Sequence, residues 1–115
     1  MKLIGSKGED LAAEHLKRKG YKIIARNYKT PIGEIDIIAQ DRETLVFVEV
    51  KTRSSNAFGS PFEAVDARKQ MKLKKLALLY LKIQKKNPPV RFDVLSIYLN
   101  NTGKEIEHIR DAFEV

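Results

Sequence analysis

The segment Thr44-Leu45-Val46-Phe47-Val48-Glu49-Val50-Lys51 constrains this chain more than any other, because it is apolar at odd and even positions alike until its last residues. Successive side chains of a strand point to opposite faces, so such a run belongs in the middle of a sheet, not at its edge. Its only charges, Glu49 and Lys51, come at the end and project from the same face. The preceding run, Glu34–Gln40, is also strand-like, and only the polar Asp41-Arg42-Glu43-Thr44 separates the two. A connection that short makes an antiparallel hairpin.

The flanking segments complete an α/β pattern. Ser6-Lys7-Gly8-Glu9 has the form of a capping box, and Leu11, Ala12, His15 and Leu16 recur at helical spacing until Gly20, which predicts a helix over 6–19. Tyr21–Tyr28, rich in aromatic and branched residues and followed by the Pro31/Gly33 turn, reads as a first strand. TRSSNAFGS after Lys51 has no periodicity and reads as a mobile loop. Ser60-Pro61-Phe62-Glu63 is a second capping box with proline at the first helical position, and predicts a helix of roughly 35–40 Å running to about Lys86, where Asn87-Pro88-Pro89 stops it. Leu73, Leu76, Ala77, Tyr80 and Ile83 form its apolar stripe. Arg68, Lys72, Lys75, Lys82 and Lys86 recur at steps of three or four, interrupted by Leu79, on another side. Arg91–Leu99, in which Phe92 reads as core, and Lys104–Ile109 are two further strands about the turn Asn100-Asn101-Thr102-Gly103. The order α-β-β-β-α-β-β implies an α/β fold, a mixed sheet with an antiparallel meander and a right-handed crossover helix.

At 115 residues the chain is one domain's worth, taken as a single unit over 1–115. Lysine and arginine outnumber the acids 22 to 15, and the net charge of +7 favours a polyanionic partner, nucleic acid before others. The absence of cysteine excludes disulfides, zinc–thiolate sites and a thiol nucleophile, and two histidines are too few for a histidine-rich metal site. No apolar run approaches the roughly 18–20 residues of a membrane helix, and MKLIGSKGED lacks the apolar core of a signal peptide. The expected setting is the cytoplasm, with no membrane partner. Chemistry then falls to carboxylates, lysines and hydroxyls.

The hairpin places them. With Arg42-Glu43 at the turn, Asp41 pairs with Thr44 and, counting back, Asp36 faces Glu49 and Glu34 faces Lys51. Directly opposed carboxylates, with Cβ atoms about 4.5–5.5 Å apart, repel each other, a cost that a cation removes. Two carboxylates, with water and a substrate phosphate in the remaining positions, suit Mg²⁺ or Mn²⁺. A lysine beside that metal orients or deprotonates a water and stabilises charge on the phosphorus centre.

Asp36 followed by Glu49-Val50-Lys51 at the end of the next strand resembles the PD-(D/E)XK nuclease signature. GEDLAAEHLKRKGYKIIARNY, GEIDIIA, LVFVEVKTR, FGSPFEAVDARK and RFDVLSI resemble, over nearly the whole chain, the YraN family of small bacterial proteins, which is similar to archaeal Holliday-junction resolvases. The resemblance implies a restriction-endonuclease-like core, Asp36 and Glu49 as metal ligands, the Val50 carbonyl as a third, and Lys51 as the catalytic lysine. Glu9 matches the acidic residue that similar resolvases carry on their first helix near the metal. Ile35 stands where the signature has its proline. The resemblance also implies a homodimer acting on branched DNA.

Each residue has a plainer reading. Glu9 is equally the acid of a capping box. Glu34 is read as the salt-bridge partner of Lys51. Asp36, Glu49 and Lys51 could form a structural ion network, although acids and a base at the end of a central strand favour function. The basic stripe is a solvated face or a surface for a phosphate backbone, with Arg53, Arg68, Lys69, Lys72 and Lys75 as the nucleic-acid-binding candidates. Lys69 and Gln70 could turn toward the site, but spacing does not fix their rotation. His15 and His108 read as structural or surface residues. The function expected is a Mg²⁺-dependent (or Mn²⁺-dependent) endonuclease hydrolysing phosphodiesters in DNA; the alternative is a nucleic-acid-binding protein that keeps the fold without turnover. A protein-interaction domain would need a sizeable exposed apolar patch.

Overall fold

A computed structural model describes residues 3–53, 65–100 and 102–114. Its elements are α1 (Leu3–Arg18), β1 (Lys22–Thr30), β2 (Gly33–Asp41), β3 (Thr44–Arg53), α2 (Ala67–Gln84), β4 (Val90–Asn100) and β5 (Gly103–Phe113), so the expected α-β-β-β-α-β-β order holds. The strands lie in one sheet in chain order, β1-β2-β3-β4-β5. Every neighbouring pair is antiparallel except β3 and β4, which run parallel because the connection containing α2 returns the chain to the same end.

The doubly apolar β3 is central, as its composition requires, and its two faces feed two cores. On one side Val46 and Val48 pack with Ile37, Leu95, Ile97 and the α1 residues Ala12, Ala13 and Leu16. On the other, Leu45 and Phe47 pack with Ile38, Phe92, Val94 and the α2 residues Leu73, Leu76, Ala77 and Tyr80. Helix, sheet and helix therefore form three layers. The β2–β3 register runs from Asp41↔Thr44 to Ile37↔Val48 without a slip, as the two-residue turn predicts. Arg42 takes the left-handed conformation such a turn needs, with φ 59°. Among the described residues no helix is long and apolar enough to cross a membrane.

Several boundaries differ from the sequence reading. α1 begins at Leu3, so Ser6 lies inside the helix and Glu9 sits well past the first turn, which removes its role in a capping box. α2 begins at Ala67, capped by the Asp66 side chain, which accepts from the Lys69 N–H at 2.9 Å. Val65 and Asp66 are not helical, so no continuous helix runs from Ser60; the capping box at 60–63 and most of the preceding loop lie outside the described residues. The helix closes at Gln84 with Lys85 left-handed at φ 56°, and its 18 residues span about 27 Å. Ile83 points to solvent, 56% exposed, leaving the apolar stripe one turn shorter than expected.

β5 continues beyond Ile109 to Phe113, whose ring stacks on Phe92 at 4.8 Å. Its extension is held by Asp93, which is fully buried. Asp93 takes a two-pronged bond from Arg91 (2.8 and 3.0 Å), a bond to His108 Nε2 (2.8 Å) and the Asp111 N–H (3.0 Å). Lys19 Nζ lies 3.4 Å from His108 Nδ1, so the imidazole bridges an ammonium and a buried carboxylate, a structural role.

α1 approaches β3 closely at one point. A Cβ at Gly8 would overlap the Thr52 side chain, so only glycine permits the approach. Gly8→Ala, which gains helix propensity, is therefore expected to destabilise the protein by about 1–3 kcal/mol in urea unfolding, because overpacking outweighs propensity. A more stable Gly8→Ala variant would contradict the packing.

Candidate functional site

The site forms at the carboxyl end of β3, where β2 loses its regularity. Ile35 packs in the core on the α2 side and Ile37 in the core on the α1 side, so the two-residue alternation breaks across Asp36. On the partner strand Asn27, between the rungs Arg26↔Ile37 and Tyr28↔Ile35, has φ 51°, while the pairing keeps its register on both sides. Asp36 stands one position past the last regular β2–β3 rung, and its Oδ2 accepts the Val50 N–H at 2.8 Å.

Glu49 is buried, 4% exposed, and its Oε2 receives Lys51 Nζ at 3.3 Å and Lys69 Nζ at 3.4 Å. Asp36 is pushed up to about 7, above the ordinary carboxylate range. Burial is the first cause and the Glu49 charge the second; the Val50 N–H pulls the other way, while Glu9 and a hydrogen bond between the Asp36 and Glu49 side chains push further up. Glu9, Glu34 and Asp36 each bring a carboxylate oxygen within 4.8 Å of the others. Gly8 is what lets α1 deliver Glu9 here, since its neighbour Thr52 is three residues past Glu49.

The structure thus brings Glu9, Asp36, Glu49 and Lys51 together at one strand end. Glu34 is found with Glu9 and Asp36, not with Lys51, whose carboxylate partner is Glu49; past Ile37↔Val48 the straight register that paired residues 34 and 51 no longer applies. Val50 offers its N–H to Asp36. Arg53 ends β3, half-buried. Arg68 and Lys75 lie exposed on α2, whereas Lys72 reaches over Gly33 and lines a shallow depression with Lys29, Thr30, Ile32 and Glu34.

Lys69 at Glu49 was readable in principle: it stands four and seven residues before Leu73 and Leu76, on the buried stripe of α2. Ser96 gave no signal. Its Oγ is fully buried without a hydrogen-bond partner among the described residues, and Ser96 pairs with Lys51 across β3 and β4.

Fold and site together define a three-layer α/β protein with a carboxylate cluster and two lysines at the end of its central strand. The chain belongs to a family described as "Uncharacterised protein family UPF0102", which it matches over residues 8–97. Relatives include the UPF0102 protein of Thermodesulfovibrio yellowstonii, 53% identical and aligned over 96% of this chain and 95% of that protein. Those of Dictyoglomus thermophilum (48% identical, 97% and 98% covered) and Syntrophomonas wolfei (50%, 96% and 96%) are similarly close. Among solved structures, Pyrococcus furiosus SfsA in complex with Ca²⁺ aligns with 99% of this chain and 65% of its own, at TM-score 0.37 and 13% identity, a likeness too weak to carry an argument.

The raised proton affinity of Asp36 makes stability depend on pH. A carboxyl that holds its proton more tightly when folded costs nothing below its unfolded value near 4, and penalises the fold increasingly as pH rises toward 7. In EDTA, Asp36→Asn, which retains an acceptor for Val50, is expected to be more stable than wild type at pH 8 by about 1–3 kcal/mol and nearly equal to it at pH 4. Equal stabilities at pH 8 would show that the two acids do not strain each other.

Proposed function

We propose that this protein is a divalent-metal-dependent nuclease that hydrolyses phosphodiesters in DNA. The observation that carries the reading is the contact of half-buried Asp36 with buried Glu49 beside Lys51. A like-charged pair removed from water is costly unless protonated or compensated, and a small hard cation compensates it best. The donor set fits such an ion: the carboxylates of Asp36, Glu49, Glu9 and Glu34 are hard oxygens, with neither thiolate nor imidazole among them. Asp36 and Glu49 would hold the ion with the Val50 carbonyl, and Glu9 stands close enough to join them. The ion would supply Lewis acidity toward a phosphate oxygen.

The chain's own residues account for the rest. Lys51, one-third exposed at the rim, orients the attacking water and offsets the negative charge that gathers on the phosphate oxygens as the new P–O bond forms and the ester bond breaks. The exposed cations Arg68 and Lys75, with Lys72 and Arg53 nearer the site, provide a complement to the phosphate backbone. Branched DNA as the preferred substrate, and a homodimer acting on it, rest on the similarity to junction resolvases.

A second reading, binding without turnover, is favoured by α2, which carries Arg68, Lys69, Lys72, Lys74, Lys75 and Lys82 and no acidic residue. The two separate cleanly. Incubated with Mg²⁺ and labelled duplex, flap and junction DNA, the wild type is expected to cleave, with rates lower by about 10²–10⁴-fold for Lys51→Ala and Asp36→Asn while DNA binding persists. No cleavage by wild type, together with salt-sensitive binding that needs no metal, would establish the second reading instead.

A further inference from the structure

Glu49 is held by two lysines, and they arrive differently. Lys51 comes from the strand end that also carries Glu49; Lys69 comes from the opposite layer, in the first turn of α2, and meets the same oxygen at 3.4 Å. That turn is fastened at two points. The Lys69 N–H is capped by Asp66 at 2.9 Å, and the Gln70 side chain donates to the Val65 carbonyl at 3.0 Å. Because Lys69 continues the stripe of Leu73, Leu76 and Tyr80, its stem leaves the helix on the side that faces the sheet. Its ammonium reaches Glu49 while the side chain stays 39% exposed, whereas Arg68 and Lys75 lie wholly on the solvent side.

One cation suffices to balance one carboxylate, so with Lys69 in place Lys51 is free to turn toward a phosphodiester without leaving Glu49 uncompensated. We infer that Lys69 is a positioning residue: it fixes one oxygen of Glu49 and presents the other to the divalent ion, and is not a contact to DNA. This rests on the metal-dependent reading above. Carboxylate ligands depend on such partners for orientation, and their loss typically costs about 10–100-fold in metal affinity.

The test is Mn²⁺ binding by calorimetry on the full chain, alongside DNA binding in EDTA over a salt series. Lys69→Met is expected to weaken Mn²⁺ binding by about 10-fold or more and Lys69→Arg to restore most of it. In EDTA, Lys69→Met keeps the wild-type salt slope, while Lys75→Met lowers it by about 1. Should Lys69→Met fail to fold, Lys69→Gln takes its place. Unchanged Mn²⁺ affinity in the Lys69 variant, or a salt slope lowered as for Lys75, overturns the inference with the metal reading intact. A wild type that takes up no Mn²⁺ overturns the metal reading, and the inference with it.

Discussion

The contact between the Asp36 and Glu49 side chains at the end of β3 is the interaction on which the rest of the site depends. Three compensations surround it: the Val50 N–H on Asp36, Lys51 and Lys69 on Glu49, and the proton that Asp36 retains toward neutral pH. They come from two layers of the fold, and the third layer adds Glu9, which increases the repulsion. A region built only for stability would place apolar residues at a buried strand end.

The architecture explains why this cluster forms where it does. β3 and β4 run parallel, and the acids stand at the carboxyl end of that pair. α1 covers this end from one face, at the distance Gly8 allows, and α2 from the other, with its capped first turn bringing Lys69 to Glu49. The buried Asp93 network stands elsewhere, tying β5 to β4 through Arg91 and His108, and takes no part in the cluster. Positive charge concentrates on α2, while the acids gather at the strand ends.

Much of this could be read from residue order. Apolar residues at every position from Leu45 to Val48 fixed β3 as central, and the polar pair Arg42-Glu43 set a register that the structure reproduces rung by rung to Ile37↔Val48. What could not be read begins where the alternation of β2 breaks between Ile35 and Ile37, because nothing in the apolar pattern of residues 34–40 marks that change of face. That break carries Glu34 away from Lys51 and toward Glu9. The capping box at Ser6 misled for a simpler reason: serine and glutamate three apart are compatible with a helix interior, and the turn before Ser6 has no strong stop signal. Ile83 fits the helical period but lies where the sheet no longer reaches. Lys69 was legible from its spacing to Leu73, had the buried stripe been extended one turn back.

The central claim is that a divalent ion belongs among these acids, and the most direct measurement is an anomalous-scattering map from crystals grown with Mn²⁺. The account predicts a peak bridging the Asp36 and Glu49 carboxylates, with Lys51 released from Glu49 and Lys69 still in place. A map without a peak there at millimolar Mn²⁺, with both lysines still on Glu49, would contradict it.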